Sequence, residues 1–184
     1  MAIRNLRIND DPILRKKSKQ VKEMTDRTSE LIDDLSESLK EFNGVGLAAV
    51  QVGVLKRIAI VNIPEFDEEG NEIETEDLVI VNPISITPLD DELQRGNEGC
   101  LSIPDKCAVV VRPNHILLKA YDRNLKEYEL EAFGLLARAI QHECDHMDGI
   151  LYIDKADGPI MNADEAQDED EIIDPSNDDE SSKE

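Results

Sequence analysis

Residues 132–149, AFGLLARAIQHECDHMDG, predict the helix around which the rest of the chain is arranged. The apolar lead-in FGLLARAI favours a helix that begins at about Ala132 and runs through Met147. Gly149 predicts that it stops there, because glycine readily ends a helix.

The second half of this helix carries two histidines four residues apart, His142 and His146, with Glu143 beside the first. Each residue of an α-helix advances by about 100°, so the two imidazoles and the carboxylate share one side. Cys144 points away from that side, toward the core. This is the H-E-x-x-H arrangement of metal hydrolases, in which two histidines bind the ion and the glutamate handles protons.

The rest of the chain predicts an α+β fold. Residues 25–44, TDRTSELIDDLSESLKEFNG, predict an N-terminal helix capped by Thr25 or Asp26 and ended by Asn43-Gly44. Strand patterns follow at residues 57–63, 78–83, 108–113 and 115–122. The last of these continues into a hairpin with its turn at Arg123-Asn124. Neighbouring strands with short turns predict antiparallel or mixed β-sheets packed around the central metal-binding helix.

Composition divides the 184 residues into a catalytic domain, residues 1–157, and an acidic tail, residues 158–184. Residues 164–184 hold eleven acids and one lysine, too few apolar groups to form a core, so we expect a disordered C-terminal tail. The net charge of −22 repels phosphate backbones, and we expect no direct DNA binding.

Cysteine count and apolar runs bear on where the protein works. Three cysteines argue against a disulfide framework and favour a reducing compartment. The start, MAIRNLRIND, has no apolar run that would indicate a signal peptide, and no stretch is long enough for a membrane span. The sequence therefore predicts a cytoplasmic protein without membrane contact.

The third metal ligand has four candidates in the sequence. Glu165 lies nineteen residues after His146, a distance at which some zinc peptidases place a glutamate, but it falls in the acidic tail. Cys144 is on the wrong side of the helix, and Cys107 fits a small buried apolar residue. Cys100 is favoured, because it lies in NEGCLSIP, where a thiolate on a short fixed loop is a good ligand.

Three stretches resemble the signature motifs of the peptide deformylase family, in order: GVGLAAVQ (44–51), EGCLS (98–102) and QHECDHMDG (141–149). The similarity spans about residues 1–157. It implies an enzyme that removes the formyl group from the N-terminal formyl-methionine of new bacterial proteins. It also implies one metal ion held by Cys100, His142 and His146, usually Fe2+, although Zn2+, Ni2+ and Co2+ suit the same ligands.

The same resemblance implies roles for further residues. Three ligands leave a position for water, and Glu143 would take a proton from it and later return one to the departing amine. The Gln51 amide and the Leu101 backbone N–H would donate to the developing oxyanion.

Substrate binding is expected from two further groups of residues. By resemblance, Gly46 offers main-chain hydrogen bonds to the N-formyl-methionyl peptide or nascent chain. The methionine side chain needs an apolar slot, for which Val45, Leu135 and Ala139 are candidates.

Glu98 and Arg112 are expected to pair and fix the loop that carries the cysteine ligand.

Two departures from the family limit what the resemblance implies. Some members have a basic residue where this chain has Cys107, so its peptide affinity would rest more on main-chain bonds. Many bacterial members end in a basic helix that could bind ribosomal RNA. This chain ends in clustered acid, and we do not expect it to dock on the ribosome through that tail.

Two other functions fit parts of the pattern. One is a zinc endopeptidase of the HExxH type that uses Glu165 as its third ligand. The other is a non-catalytic structural metal site, closed by Cys107 beside Cys100 and the two histidines. The structural site would give no role to Glu143 or Gln51.

Overall fold

A computed structural model of the chain describes residues 2–8, 10–67, 69–73, 75–166 and 171–173. It confirms the α+β class, with two helices and antiparallel sheets. The helices and strands in chain order are α1 Asp26–Glu41, β1 Gly46–Ala48, β2 Ile58–Val61, β3 Glu65–Phe66, β4 Glu72–Ile73, β5 Leu78–Pro88, β6 Leu93–Cys100, β7 Ile103–Pro113, β8 His115–Tyr121, β9 Glu127–Phe133, α2 Gly134–Met147, β10 Met161–Asn162 and β11 Glu171–Ile173. Short 3-10 turns lie at Pro12–Arg15, Ala49–Val52, Tyr152–Lys155 and Ala163–Glu165.

The larger sheet has five antiparallel strands in the order β1-β2-β5-β8-β9, and it lies between the two helices. Alternate residues of a strand face opposite sides of a sheet. Ala59 and Val61 of β2 pack in the cluster that includes Ile140 of α2. Ile58 and Ile60 pack in the cluster that includes residues of α1. Burial of both faces explains why residues 58–61, IAIV, form a continuous apolar run.

The smaller sheet carries the cysteine ligand. Its strands lie in the order β10-β7-β6-β11, and β6 and β7 form a hairpin in which Cys100 pairs with Ile103. Cys100 is thus the last residue of a strand, where the sequence predicted a loop. The strand was missed because its buried positions, Gln94, Gly96 and Glu98, are not apolar. Arginine side chains satisfy these polar groups in the interior.

Helix α2 was predicted correctly except at its start. Ala132 and Phe133 belong to β9, where they pair with Ile116 and His115, so the helix begins at Gly134. It ends at Met147, and Gly149 follows with a φ of 76°, a left-handed conformation that favours glycine. A Cβ atom at Gly149 would lie 2.6 Å from the carbonyl oxygen of Arg15, so this turn also packs closely on the N-terminal segment.

The structure describes only part of the predicted acidic tail. Residues 158–166 and 171–173 are described, and two segments within them pair with the smaller sheet: β10 with β7, and β11 with β6. For these segments the structure has paired strands where the sequence predicted disorder, because main-chain hydrogen bonds to exposed sheet edges require no apolar core. Residues 167–170 and 174–184 lie outside the described residues, so the domain boundary after residue 157 stays a prediction.

Within the described ranges, neither helix is both long and apolar enough to cross a membrane.

Candidate active site

Three potential ligand atoms meet where the end of β6 approaches the second half of α2. One atom each from Cys100, His142 and His146 lies within 4.8 Å of the other two. The Cys100 Sγ is 3.2 Å from the Nε2 of His146, and the two imidazole rings lie edge to face with centroids 4.9 Å apart. In the part of the chain that the structure describes, this is the one group of His, Cys, Asp and Glu side chains that could hold a metal ion.

The other candidate ligands lie elsewhere. Cys144 is buried in the core cluster between α2 and the larger sheet, as predicted. Cys107 is buried on β7, opposite Gly99, and its Sγ lies 3.9 Å from the carbonyl oxygen of Asn162. Glu165 is exposed in the 3-10 turn after β10 and does not belong to the ligand group.

The buried carboxylate of Glu98 connects the ligands to the surrounding sheet. It accepts two hydrogen bonds from Arg112, at 2.5 and 2.8 Å, which is the pairing expected from the sequence. Its Oε2 also lies 3.1 Å from the Nδ1 of His142, which leaves Nε2 of that ring free for a metal. Asp145 accepts a further bond from Arg112 at 2.8 Å, so one guanidinium joins β6 to helix α2.

A second buried arginine in this network, Arg138, was not anticipated from the sequence. It lies on α2 one turn before His142 and is 6% exposed. Its Nη1 donates to the Oε1 of Glu98 at 2.9 Å, and other nitrogens donate to Gln94 of β6. An arginine inside an apolar helix face is the one sequence signal that could have revealed it. Arg138 ties α2 to the strand that ends at the cysteine ligand.

The pKa values of the two histidines are shifted in opposite directions. Burial opposes protonation of His142, but hydrogen bonds to Cys100 and Glu98 outweigh it and raise its pKa to about 10. Burial, reinforced by the positive charge of His142, holds the pKa of His146 well below its usual range. The Nδ1 of His146 is buried without a hydrogen-bond partner in the described structure.

These three side chains suit a divalent metal. A thiolate and two imidazoles are typical ligands of Zn2+ and of related first-row metals. A cation at this point would compete with a proton for the side of the His142 ring that faces Cys100. The donor set and its burial therefore fit a single bound ion.

Glu143 stands beside the ligands and is 3% exposed. Its Oε2 is buried and has no hydrogen-bond partner among the described residues, as expected of a group that acts on a bound molecule. Burial raises the pKa of Glu143 to about 7, although the charge of His142 opposes the shift. A Cβ atom at Gly46 would come within 2.8 Å of the Glu143 side chain, so only glycine leaves room for this carboxylate.

Gln51 reaches the same place from the 3-10 turn after β1. Its side-chain oxygen accepts from the backbone N–H of Ala48 at 2.8 Å, which fixes the orientation of the amide. Its NH2 group then points at Cys100, 3.6 Å from Sγ, and donates to Ser102 at 3.2 Å. Leu101 lies in the two-residue turn of the β6–β7 hairpin. Both predicted oxyanion donors are thus close to the ligand group.

A cavity of about 490 Å³ opens in front of these residues. Val45 and Gly46 line one side of it, Leu135 and Ala139 of α2 line another, and the β6–β7 turn closes a third. Leu135 is 52% exposed and Val45 is 37% exposed, so the cavity has large apolar side chains at its mouth. All the predicted catalytic and substrate-binding residues line this cavity, and His146 lies buried behind them.

Comparison with known proteins gives a consistent picture. Residues 3–160 match the sequence pattern of the polypeptide deformylase family. A peptide deformylase from Lachnoclostridium phytofermentans is 48% identical over 160 residues, which cover 87% of this chain and 93% of that protein. The crystal structure of peptide deformylase from Thermotoga maritima superimposes with a TM-score of 0.76 at 30% identity, covering 86% of this chain and all of that one.

A second similar structure is a Met-Ala-Ser-bound class I type b peptide deformylase from Acinetobacter baumannii. It is 29% identical, has a TM-score of 0.73, and the match covers 84% of this chain and 98% of that one.

The fold and the site define a class of protein, the metal-dependent hydrolases, with one ligand group on an H-E-x-x-H helix and a cavity in front of it. Within that class, the chain belongs to the polypeptide deformylase family. Members of this family remove the formyl group from N-formylmethionine at the start of new proteins.

Proposed function

We propose that this chain deformylates N-formyl-methionyl peptides and nascent chains in the cytoplasm, with Cys100, His142 and His146 holding one divalent ion. The observation that carries the proposal is the unpartnered Oε2 of Glu143 beside the ligand group, at the floor of the cavity. The ion is proposed to be Fe2+, with Zn2+, Ni2+ and Co2+ able to use the same donors.

When bound, such an ion supplies a Lewis acid that makes water nucleophilic near neutral pH. Glu143 accepts the proton of the attacking water at its free carboxylate oxygen and later gives a proton to the departing amine. Proton transfer of this kind contributes about 10²–10⁴ in rate. The raised pKa of Glu143, about 7, suits a group that must both accept and donate.

The remaining cavity residues orient the peptide. The Nε2 of Gln51 and the backbone N–H of Leu101 donate to the oxyanion that forms when water adds to the formyl carbon. Val45, Leu135 and Ala139 enclose the methionine side chain, and the main chain at Gly46 binds the peptide backbone. The solved structure of a Met-Ala-Ser-bound relative supports a cleft that accepts peptides in this fold.

Turnover and metal content measured on one sample test the proposal. The chain is loaded with Fe2+ without oxygen and assayed on formyl-Met-Ala-Ser, beside the variant Glu143→Gln. We expect the variant to retain one metal per chain and to lose at least 10²-fold in kcat. A variant that keeps its activity would contradict the role of Glu143. A variant that loses both its activity and its metal would show that Glu143 has a structural role.

The two alternative functions have weaker support. A zinc endopeptidase using Glu165 requires a ligand that the structure places on the exposed side of a turn, and Glu165→Ala should leave metal content unchanged. A closed structural site requires Cys107, which lies outside the ligand group. The structural site also does not explain why Glu143 is buried with a free oxygen.

A further inference from the structure

One boundary of the cavity comes from the predicted acidic tail, outside the family motifs. Residues 161–165, here called the C-terminal wall, consist of β10 and the 3-10 turn Ala163–Glu165. In antiparallel register, Met161 pairs with Cys107 and Asn162 pairs with Lys106 on the outer edge of β7. Ala163 then lines the cavity together with the β6–β7 turn. The wall is therefore joined to a strand that itself borders the cavity.

Side-chain contacts add to this pairing. The Nζ of Lys106 donates to the Oδ1 of Asn162 at 2.5 Å, and the Sγ of Cys107 lies 3.9 Å from the carbonyl oxygen of Asn162. Lys106 also lines the cavity, so its ammonium group is directed along the wall at the cavity mouth. These contacts connect the position of Ala163 to that of the β6–β7 hairpin.

The exposed charges at this end of the cavity are mostly negative. Asp105 and Lys106 line the mouth, and Asp164 and Glu165 follow Ala163 in the wall. All four are exposed, and together they carry three negative charges and one positive charge. The arginine that lines the cavity, Arg138, is buried and bonded to Glu98, so it offers no charge to a peptide at the mouth.

We propose that the C-terminal wall is part of the peptide-binding cleft, and that Asp164 and Glu165 make the enzyme favour substrates with Lys or Arg as the second residue after the formyl-methionine. This inference rests on the proposed function, since it concerns the part of the same substrate that extends beyond the methionine. With the formyl group at the ligand group and the methionine side chain against Val45 and α2, the residues that follow the methionine would lead out of the cavity.

The expected effect is moderate, because charges at the mouth are in contact with solvent. At about 0.15 M salt the screening length is about 8 Å, so the wall carboxylates act appreciably only on peptide charges that pass close to them. Exchanging a lysine for a glutamate in the peptide should then change kcat/KM by about three- to fivefold, in favour of lysine. Lowering the salt concentration should enlarge this ratio.

The test compares two peptides, formyl-Met-Ala-Lys amide and formyl-Met-Ala-Glu amide, on the metal-loaded full chain. The variant Asp164→Asn/Glu165→Gln should lower the Lys/Glu ratio of kcat/KM toward one while leaving metal content unchanged. The control Glu23→Gln/Glu30→Gln removes the same charge at exposed positions that do not line the cavity, and should keep the ratio. An unchanged ratio in the wall variant, or an equal loss in the control, would overturn the proposal.

A steric variant tests the wall without relying on charge. Ala163→Phe should raise KM for formyl-Met-Ala-Ser severalfold with little change in kcat, because a larger side chain narrows the cavity away from the ligand group. An unchanged KM would show that the wall does not border the bound peptide. Failure of the proposed function is a separate result: the metal-loaded wild-type chain would then hydrolyse none of the three peptides.

Discussion

Replacing Glu98 by glutamine tests the link between the buried network and the metal site. Each carboxylate oxygen of Glu98 accepts two hydrogen bonds: Oε1 from Arg112 and Arg138, and Oε2 from Arg112 and His142. An amide of the same shape places an NH2 group against two donors. It also removes the negative charge that lies between two buried guanidinium groups.

Two considerations indicate the approximate size of the loss. Removing one partner of a buried ion pair destabilises a protein by about 3–5 kcal/mol. Independently, the pKa of Glu98 is lowered from 4.5 to about 2: burial would raise it, but the bonds from Arg112 and His142 outweigh burial. A shift of this size corresponds to about 3 kcal/mol of stability at neutral pH.

The direction of the pH dependence follows from the lowered pKa. The ionised carboxylate contributes its stability in full above pH 4.5, and the contribution is lost as pH falls toward about 2. The free energy of unfolding, measured in urea on metal-free protein, should therefore differ by about 3 kcal/mol between wild type and Glu98→Gln at pH 7. The difference should shrink below about pH 4.5.

Metal affinity provides the second measurement on this variant. Loss of the carboxylate that orients His142 should weaken metal binding by about 10–100-fold in a competition titration. Glu129→Gln is the control, because Glu129 is an exposed carboxylate whose bond to Lys119 should contribute about 0–1 kcal/mol. A stability loss below about 1 kcal/mol in Glu98→Gln with unchanged metal affinity would refute the reasoning, because Glu98 would then neither stabilise the core nor orient the ligand.

Two further substitutions test residues of the cavity. Gly46→Ala should lower kcat by at least tenfold with metal content retained, because the new methyl group displaces the Glu143 carboxylate. Equal turnover of this variant and the wild type in a steady-state assay would contradict the close approach seen in the structure. Gln51→Leu should lower kcat by about 10²–10³-fold and change KM much less. This loss of rate corresponds to about 2.7–4 kcal/mol of oxyanion stabilisation. A change in KM alone would instead assign Gln51 to peptide binding.

Periodicity and motif spacing predicted the parts of the fold that have an apolar face. Helix α2 was found because its apolar residues recur at helical spacing, and strand β2 because it is a continuous apolar run. The burial of strand β6 alternates along the strand, but its inward positions are filled by Gln94, Gly96 and Glu98. Sequence periodicity could not reveal a strand whose polar side chains are satisfied by arginines from elsewhere in the chain.

The candidate site was predicted more completely than the fold around it. The ligand group and Glu143 come from short motifs whose chemistry is visible in the residue types, whereas the role of Gln51 came only from the resemblance to the family. Arg138 and the C-terminal wall were missed for different physical reasons. Arg138 acts through contacts with a distant strand, and the wall is held by main-chain pairing, which leaves little trace in an acidic sequence.

The most direct measurement of the central claim is metal content and deformylation in the variant Cys100→Ala. The account predicts that the purified variant holds less than one-tenth of the wild-type metal and does not release formate from formyl-Met-Ala-Ser, because two imidazoles alone bind the ion weakly. Full metal occupancy together with wild-type formate release would contradict it.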